Sequence, residues 1–145
     1  TPETWKPPSP ASWLKRARGK AVKVISFLLK DLPPENSYRI IFMHRDLEEV
    51  LASQAKMLEL RGESSDTSDE DMLALWRSHL EKAAFLIRYR PWLEALDVAY
   101  RDVLSDPRRE AERINDFLGG SLDVEQMVSV VDENLYRNRA KKLAG

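Results

Sequence analysis

Arg45 and Ser53 are the side chains whose types and spacing best suit the gripping of an anion. A guanidinium offers a planar fork of donors and a serine hydroxyl adds another, a set that fits phosphate. The chain changes period between them. Ile40, Ile41, Phe42 and Met43 form a short apolar run with the length and β-branching of a buried parallel strand. From Leu47 onward, Leu47, Val50, Leu51, Gln54 and Leu58 fall on one helical stripe. A strand therefore delivers Arg45 to its carboxyl end, and a helix carrying Ser53 about two turns in leaves at once. The crevice beyond the carboxyl ends of parallel strands is where open α/β sheets bind ligands. A solvated arginine at a strand-to-helix junction is the plain alternative, and these residues alone leave both open.

The wording Ile41-Phe42-Met43-x-Arg45-Asp46-Leu47-x-Glu49-Val50-Leu51-Ala52-Ser53-Gln54 resembles the 3'-phosphate-binding segment of the P-loop sulfotransferases, in a bacterial branch. The resemblance implies that Arg45 and Ser53 hold the 3'-phosphate of 3'-phosphoadenosine 5'-phosphosulfate (PAPS), or of adenosine 3',5'-bisphosphate. Tyr100-Arg101-Asp102-Val103-Leu104 resembles the Tyr-Glu-Asp-Leu segment after the family's last core strand, which makes Tyr100 an expected adenine contact. A strand-end tyrosine with its ring in the core is the competing reading. Asp106-Pro107-Arg108, followed by Ile114-x-x-Phe117-Leu118-Gly119-Gly120, is also similar to the family's C-terminal region. A late basic segment closes over the cofactor in this family. Arg137 and Arg139 are its candidates by position only, since the Arg-Lys-Gly motif is absent and a charged terminus explains them too.

Two further departures matter. The run from Lys23 to Pro33 has the frame of the family's Lys-Thr-His-Leu-Pro segment without its histidine, so the catalytic base is unassigned. His44 lies in the wrong strand by the family pattern and reads more simply as a structural hydrogen-bonder. The family's Gly/Ser/Thr-rich loop, which cradles the 5'-phosphosulfate on backbone N–H groups, has no counterpart among the scattered glycines.

The elements that must position these residues follow from punctuation and periodicity. Residues 1–19 read as a Pro-rich lead-in with a short helix over 13–18, capped by Ser12 and ended by Gly19. Lys15, Arg16, Arg18, Lys20 and Lys23 make this the most basic stretch, read first as a solvated face. Residues 20–133 form the α/β domain and 134–145 a basic tail. Val22, Val24 and Ile25 predict a strand over 21–27, with a helical turn after it before Pro33-Pro34. A helix over 47–60 and a polar loop lead to Thr67-x-x-Glu70, which has capping-box spacing. A long helix then carries Met72, Trp76, Leu80, Ala83 and Ile87 on its core side. A third strand is predicted over 95–100. Asp106-Pro107 opens a helix with Ala111, Ile114, Phe117 and Leu118 on its buried face, closed by Gly119-Gly120, and Asp123 caps a last one. The expected fold is a P-loop NTPase-like three-layer α/β/α arrangement with a short parallel sheet, incomplete because the N-terminal strand and phosphate loop are not in the chain.

Composition bounds the rest. The 145 residues suffice for one core, and 43% hydrophobic with 32% charged residues describes an ordinary globular chain. A formal net charge of -1 gives no reason to expect nucleic acid or an anionic membrane. Zero cysteines and two histidines argue against disulfides, thiolate chemistry and a metal site. No apolar run approaches the roughly 20 residues of a membrane span, and no signal peptide is visible, so the expected location is cytoplasmic. The chain opens on Thr1 rather than Met, which leads to the expectation of a fragment, a processed product or a trimmed chain.

The first functional expectation is therefore the C-terminal part of a sulfotransferase that moves a sulfuryl group from PAPS to an unknown hydroxyl or amine. The alternative is a truncated, non-catalytic nucleotide-binding or protein-interaction module of the same fold. An exposed sheet edge leads to the expectation of either self-association or further chain in the native protein. A small-molecule kinase of the same fold has less support, because kinases have no need of the Arg45 and Ser53 pair.

Overall fold

The structure, a computed structural model, describes residues 10–64, 66–132 and 134. Helix α1 (Pro10–Arg16) and a 3-10 helix (Ser26–Asp31) precede strand β1 (Tyr38–His44). Helices α2 (Leu47–Leu60) and α3 (Asp69–Tyr89) form the crossover to strand β2 (Leu93–Ala99). Three shorter helices follow: α4 (Tyr100–Ser105), α5 (Pro107–Phe117) and α6 (Val124–Ser129). The two strands pair in parallel, with Tyr38 opposite Leu93 and His44 opposite Ala99. A parallel pair requires a long crossover, which α2 and α3 supply.

Side chains alternate across the sheet and sort the layers. Ile40 and Phe42 point to one face, where Phe42 joins Leu29 of the 3-10 helix and Ala83 of α3 in the core, with Leu32, Leu80 and Ile87 packed around them. Arg39 points to the opposite face and donates from Nη1 to the Phe117 carbonyl at the end of α5, 3.2 Å away. The sheet thus lies between α3 with the 3-10 helix on one side and α5 on the other. Val98 is fully buried within it. This mixed α/β arrangement with a short parallel sheet matches an incomplete P-loop-like fold.

Helix starts are set by side-chain caps. Asp46 accepts from the Glu48 and Glu49 amides, Asp106 from Arg109, and Asp123 from Gln126. Each satisfies a first-turn N–H group that has no partner within its helix. Gly120 adopts φ 86° as its amide reaches the Asn115 carbonyl, a left-handed closure that glycine makes without strain.

Several expectations are corrected. Residues 21–25 have no regular structure and the 3-10 helix starts at Ser26, so there is no strand over 21–27. Val22, Val24, Ile25, Phe27 and Leu28 are all exposed. The β-branching of Val22, Val24 and Ile25 favours an extended backbone, but among the described residues no ladder partner lies beside it. The cap of α3 is Ser68, accepting from the Asp71 amide at 3.2 Å, rather than Thr67. The first helix begins at Pro10, so Ser12 lies inside it. Strand β2 ends at Ala99, and Tyr100 opens α4 instead of closing the strand.

Helices α5 and α6 are joined by Arg108 and Glu125, whose charged groups lie 2.8 Å apart. The hydrogen bond and charge of Arg108 hold the Glu125 carboxyl below its ordinary 4.5, and Glu125 raises the Arg108 guanidinium in turn. A depressed carboxylate stabilises the fold above its unfolded pKa and stops doing so as pH falls through its folded one. Glu125→Gln is expected to lower the unfolding midpoint slightly at pH 7 and to lower it less as the pH falls below the ordinary carboxylate range, read by urea titration at each pH. Phe42→Ala empties the centre of the core and is expected to cost about 3 kcal/mol in the same assay.

Candidate functional site

The parallel register defines where the site lies. His44 and Ala99 are the last paired residues, so Arg45 and Tyr100 are the next residues out, side by side beyond the carboxyl ends of the two strands. The Arg45 guanidinium lies over the Tyr100 ring, 5.3 Å from its centre. This is cation–π range, and the aromatic face attracts the positive charge.

Beneath this pair sits Glu49, fully buried in the first turn of α2. Its Oε2 lies 3.6 Å from Arg45 Nε and its Oε1 lies 3.4 Å from Arg101 Nη2. A buried carboxylate is costly unless it is paired, and here each oxygen faces a different arginine. Arg45 is 29% exposed and Arg101 56%, so both charges lie near solvent at the mouth of the site. Two guanidiniums thus approach the one carboxylate.

Ser53 is half-buried one turn beyond Glu49 on the same helical face. Glu49 and Ser53 thus share one side of α2, and Arg45 stands four residues before Glu49, just ahead of the helix cap. Asp46 occupies the first amides of α2, so the helix N-terminus is already spent on its own cap. Arg137 and Arg139 lie outside the described residues.

The two histidines are placed separately. His44 Nε2 lies 2.6 Å from Asp97 Oδ1, and its ring packs against Phe42 at 4.8 Å. His79 Nε2 shares a hydrogen bond of 2.7 Å with Ser26 Oγ, and its ring stacks on Phe27 at 3.8 Å. His79 therefore joins α3 to the 3-10 helix. In the basic stretch, Arg18 donates from Nη2 to Asn36 Oδ1 at 2.7 Å, while Lys15, Arg16, Lys20 and Lys23 are exposed. Among the described residues no helix is long and apolar enough to cross a membrane.

Sequence reasoning passed over Glu49 and Arg101. Glu49 carried a signal, since Arg45 and Glu49 stand at the i,i+4 spacing of helical ion pairs. Arg101 carried none, because its approach to Glu49 depends on the strand register.

Fold and site together define an α/β protein with an arginine–tyrosine pair beside a buried carboxylate at the carboxyl ends of parallel strands. A model of the sulfotransferase family matches residues 3–124, a span that includes Arg45, Ser53 and Tyr100, and the chain belongs to that family. Sulfuryl transfer is the family's chemistry. No curated protein matches the chain. No solved structure matches it either.

Glu49→Ala removes the carboxylate and leaves two arginines without it. The expected loss is roughly 2–3 kcal/mol, below the cost of a fully buried orphan charge because Arg101 can turn to water. Urea unfolding at neutral pH measures it.

Proposed function

We propose that the native protein transfers a sulfuryl group from PAPS to a hydroxyl or amine, and that this chain binds the donor's 3'-phosphate through Arg45 and Ser53. The observation that carries this reading is the register. It sets Arg45 against Tyr100 at adjacent strand ends, with buried Glu49 holding the Arg45 Nε edge. The donor set fits the group. A guanidinium and a hydroxyl suit a phosphate dianion.

When bound, PAPS supplies the sulfuryl group, whose bond to the phosphate oxygen breaks as a bond to the acceptor forms. The residues of this chain bind and orient the nucleotide. Arg45 grips the 3'-phosphate while Glu49 limits its rotation, and Ser53 donates from the next turn of α2. Adenine approaches Tyr100 from the ring edge or from the side away from Arg45. Positioned donors of this kind work by lying in place before the charge arrives.

A non-catalytic nucleotide-binding or interaction module is the second reading. The exposed apolar side chains Val22, Val24, Ile25, Phe27 and Leu28 favour it.

Calorimetric titration of the native protein tests the donor-binding part of the first reading. Adenosine 3',5'-bisphosphate is expected to bind more tightly than adenosine 5'-phosphate or ATP. Arg45→Ala is expected to weaken the bisphosphate by roughly 10–100-fold, the worth of hydrogen bonds to a charged group, while leaving adenosine 5'-phosphate almost unchanged. An Arg45→Ala protein that keeps wild-type affinity for the bisphosphate removes the assignment.

A further inference from the structure

We infer that Ser26 and His79 form a nucleophile–base pair, in which the Ser26 hydroxyl takes an acyl group from an uncharged ester and His79 receives its proton. The inference is independent of the nucleotide reading above and uses no residue of the strand ends.

Ser26 Oγ lies 2.7 Å from His79 Nε2, within the about 2.6–3.2 Å at which a base takes the proton of a hydroxyl. The His79 ring stacks on Phe27 at 3.8 Å with 17° between the planes, so one ring face is covered and both nitrogens stay at the ring edge. Nδ1 has no hydrogen-bond partner among the described residues. With Nδ1 carrying the ring proton, Nε2 is left to accept from the serine O–H. That is the tautomer a general base requires.

The core holds the pair in place. Ser26 opens the 3-10 helix, and Leu29, three residues on, lies on the same side of it. His79 stands one turn before Ala83 on α3. Leu29 and Ala83 are buried together with Phe42, so the packing that joins these two elements also sets Ser26 opposite His79. Both members of the pair are half-buried. Around them Ile25, Phe27 and Leu28 are exposed apolar side chains, as is Leu75, one turn before His79. Such surroundings favour an ester with an apolar acyl group over a charged one. In the step proposed, a bond forms between Oγ and the carbonyl carbon while the O–H proton passes to Nε2. The bond from that carbon to the leaving oxygen then breaks. The products are O-acyl-Ser26 and an alcohol or phenol, which takes the proton from the imidazolium.

Incubation of the native protein with p-nitrophenyl butyrate tests the pair. Release of p-nitrophenolate gives the rate, and peptide mass mapping after an acid quench locates the butyryl group. The adduct is expected on Ser26. His79→Gln keeps a polar side chain beside Ser26 without the base, and is expected to slow acylation of Ser26 about a hundredfold or more. Ser26→Ala is expected to bring p-nitrophenolate release down to the His79→Gln level or below. A wild-type protein that carries no butyryl group on Ser26, whether or not its lysines are labelled, overturns the inference, and that result depends on no variant folding. Equal rates of Ser26 acylation in wild type and His79→Gln overturn it too. They would assign the 2.7 Å contact to the joining of α3 and the 3-10 helix alone.

Discussion

Parallel pairing of two seven-residue strands is the constraint from which the rest of the site follows. Antiparallel strands would send Arg45 and Tyr100 to opposite ends of the sheet. Parallel strands in this register bring them out together, and the side chains beyond the last pair become neighbours. The pairing obliges the chain to travel back along the sheet between β1 and β2, and α2 and α3 make that return. Glu49 and Ser53 ride on the first of these helices, so their place beneath Arg45 is a consequence of the crossover.

The site sits on a fold of modest depth. Among the described residues the buried apolar side chains are few, and several large apolar side chains lie exposed. Two of the most deeply buried side chains are carboxylates, Glu49 and Glu110. Both meet arginines, Glu110 through Arg113 at 2.5 Å and Glu49 through Arg45 and Arg101. Replacing such pairs by apolar residues is often neutral or stabilising, so their value lies in fixing where guanidiniums point rather than in stability. For Glu110 the effect is local: Arg113 also reaches the Asp97 carbonyl and ties α5 to β2. For Glu49 it reaches the strand ends.

The sequence made legible what depends on local chemistry. Helix α2 was readable to its ends because Asp46 caps it and the apolar period runs unbroken to Leu58. Helix α5 was readable because Asp106 and Pro107 start it and two glycines stop it. The strand expected over 21–27 was wrong because β-branched residues record a backbone preference, whereas a strand needs a partner that the local sequence does not name. In the site, Arg45, Ser53 and Tyr100 were legible from spacing and resemblance. Arg101 was not, since nothing local to residue 101 specifies that β2 ends beside β1. A two-residue contact across a parallel register is long-range information, and it enters only with the fold.

The central claim is that Arg45 and Ser53 receive the 3'-phosphate of an adenine nucleotide. A structure of the native protein with adenosine 3',5'-bisphosphate tests it most directly. The account predicts the 3'-phosphate within hydrogen-bond distance of the Arg45 guanidinium and the Ser53 hydroxyl, with Glu49 still beneath Arg45. A nucleotide bound with its 3'-phosphate away from Arg45, or bound at another face of the sheet, would contradict it.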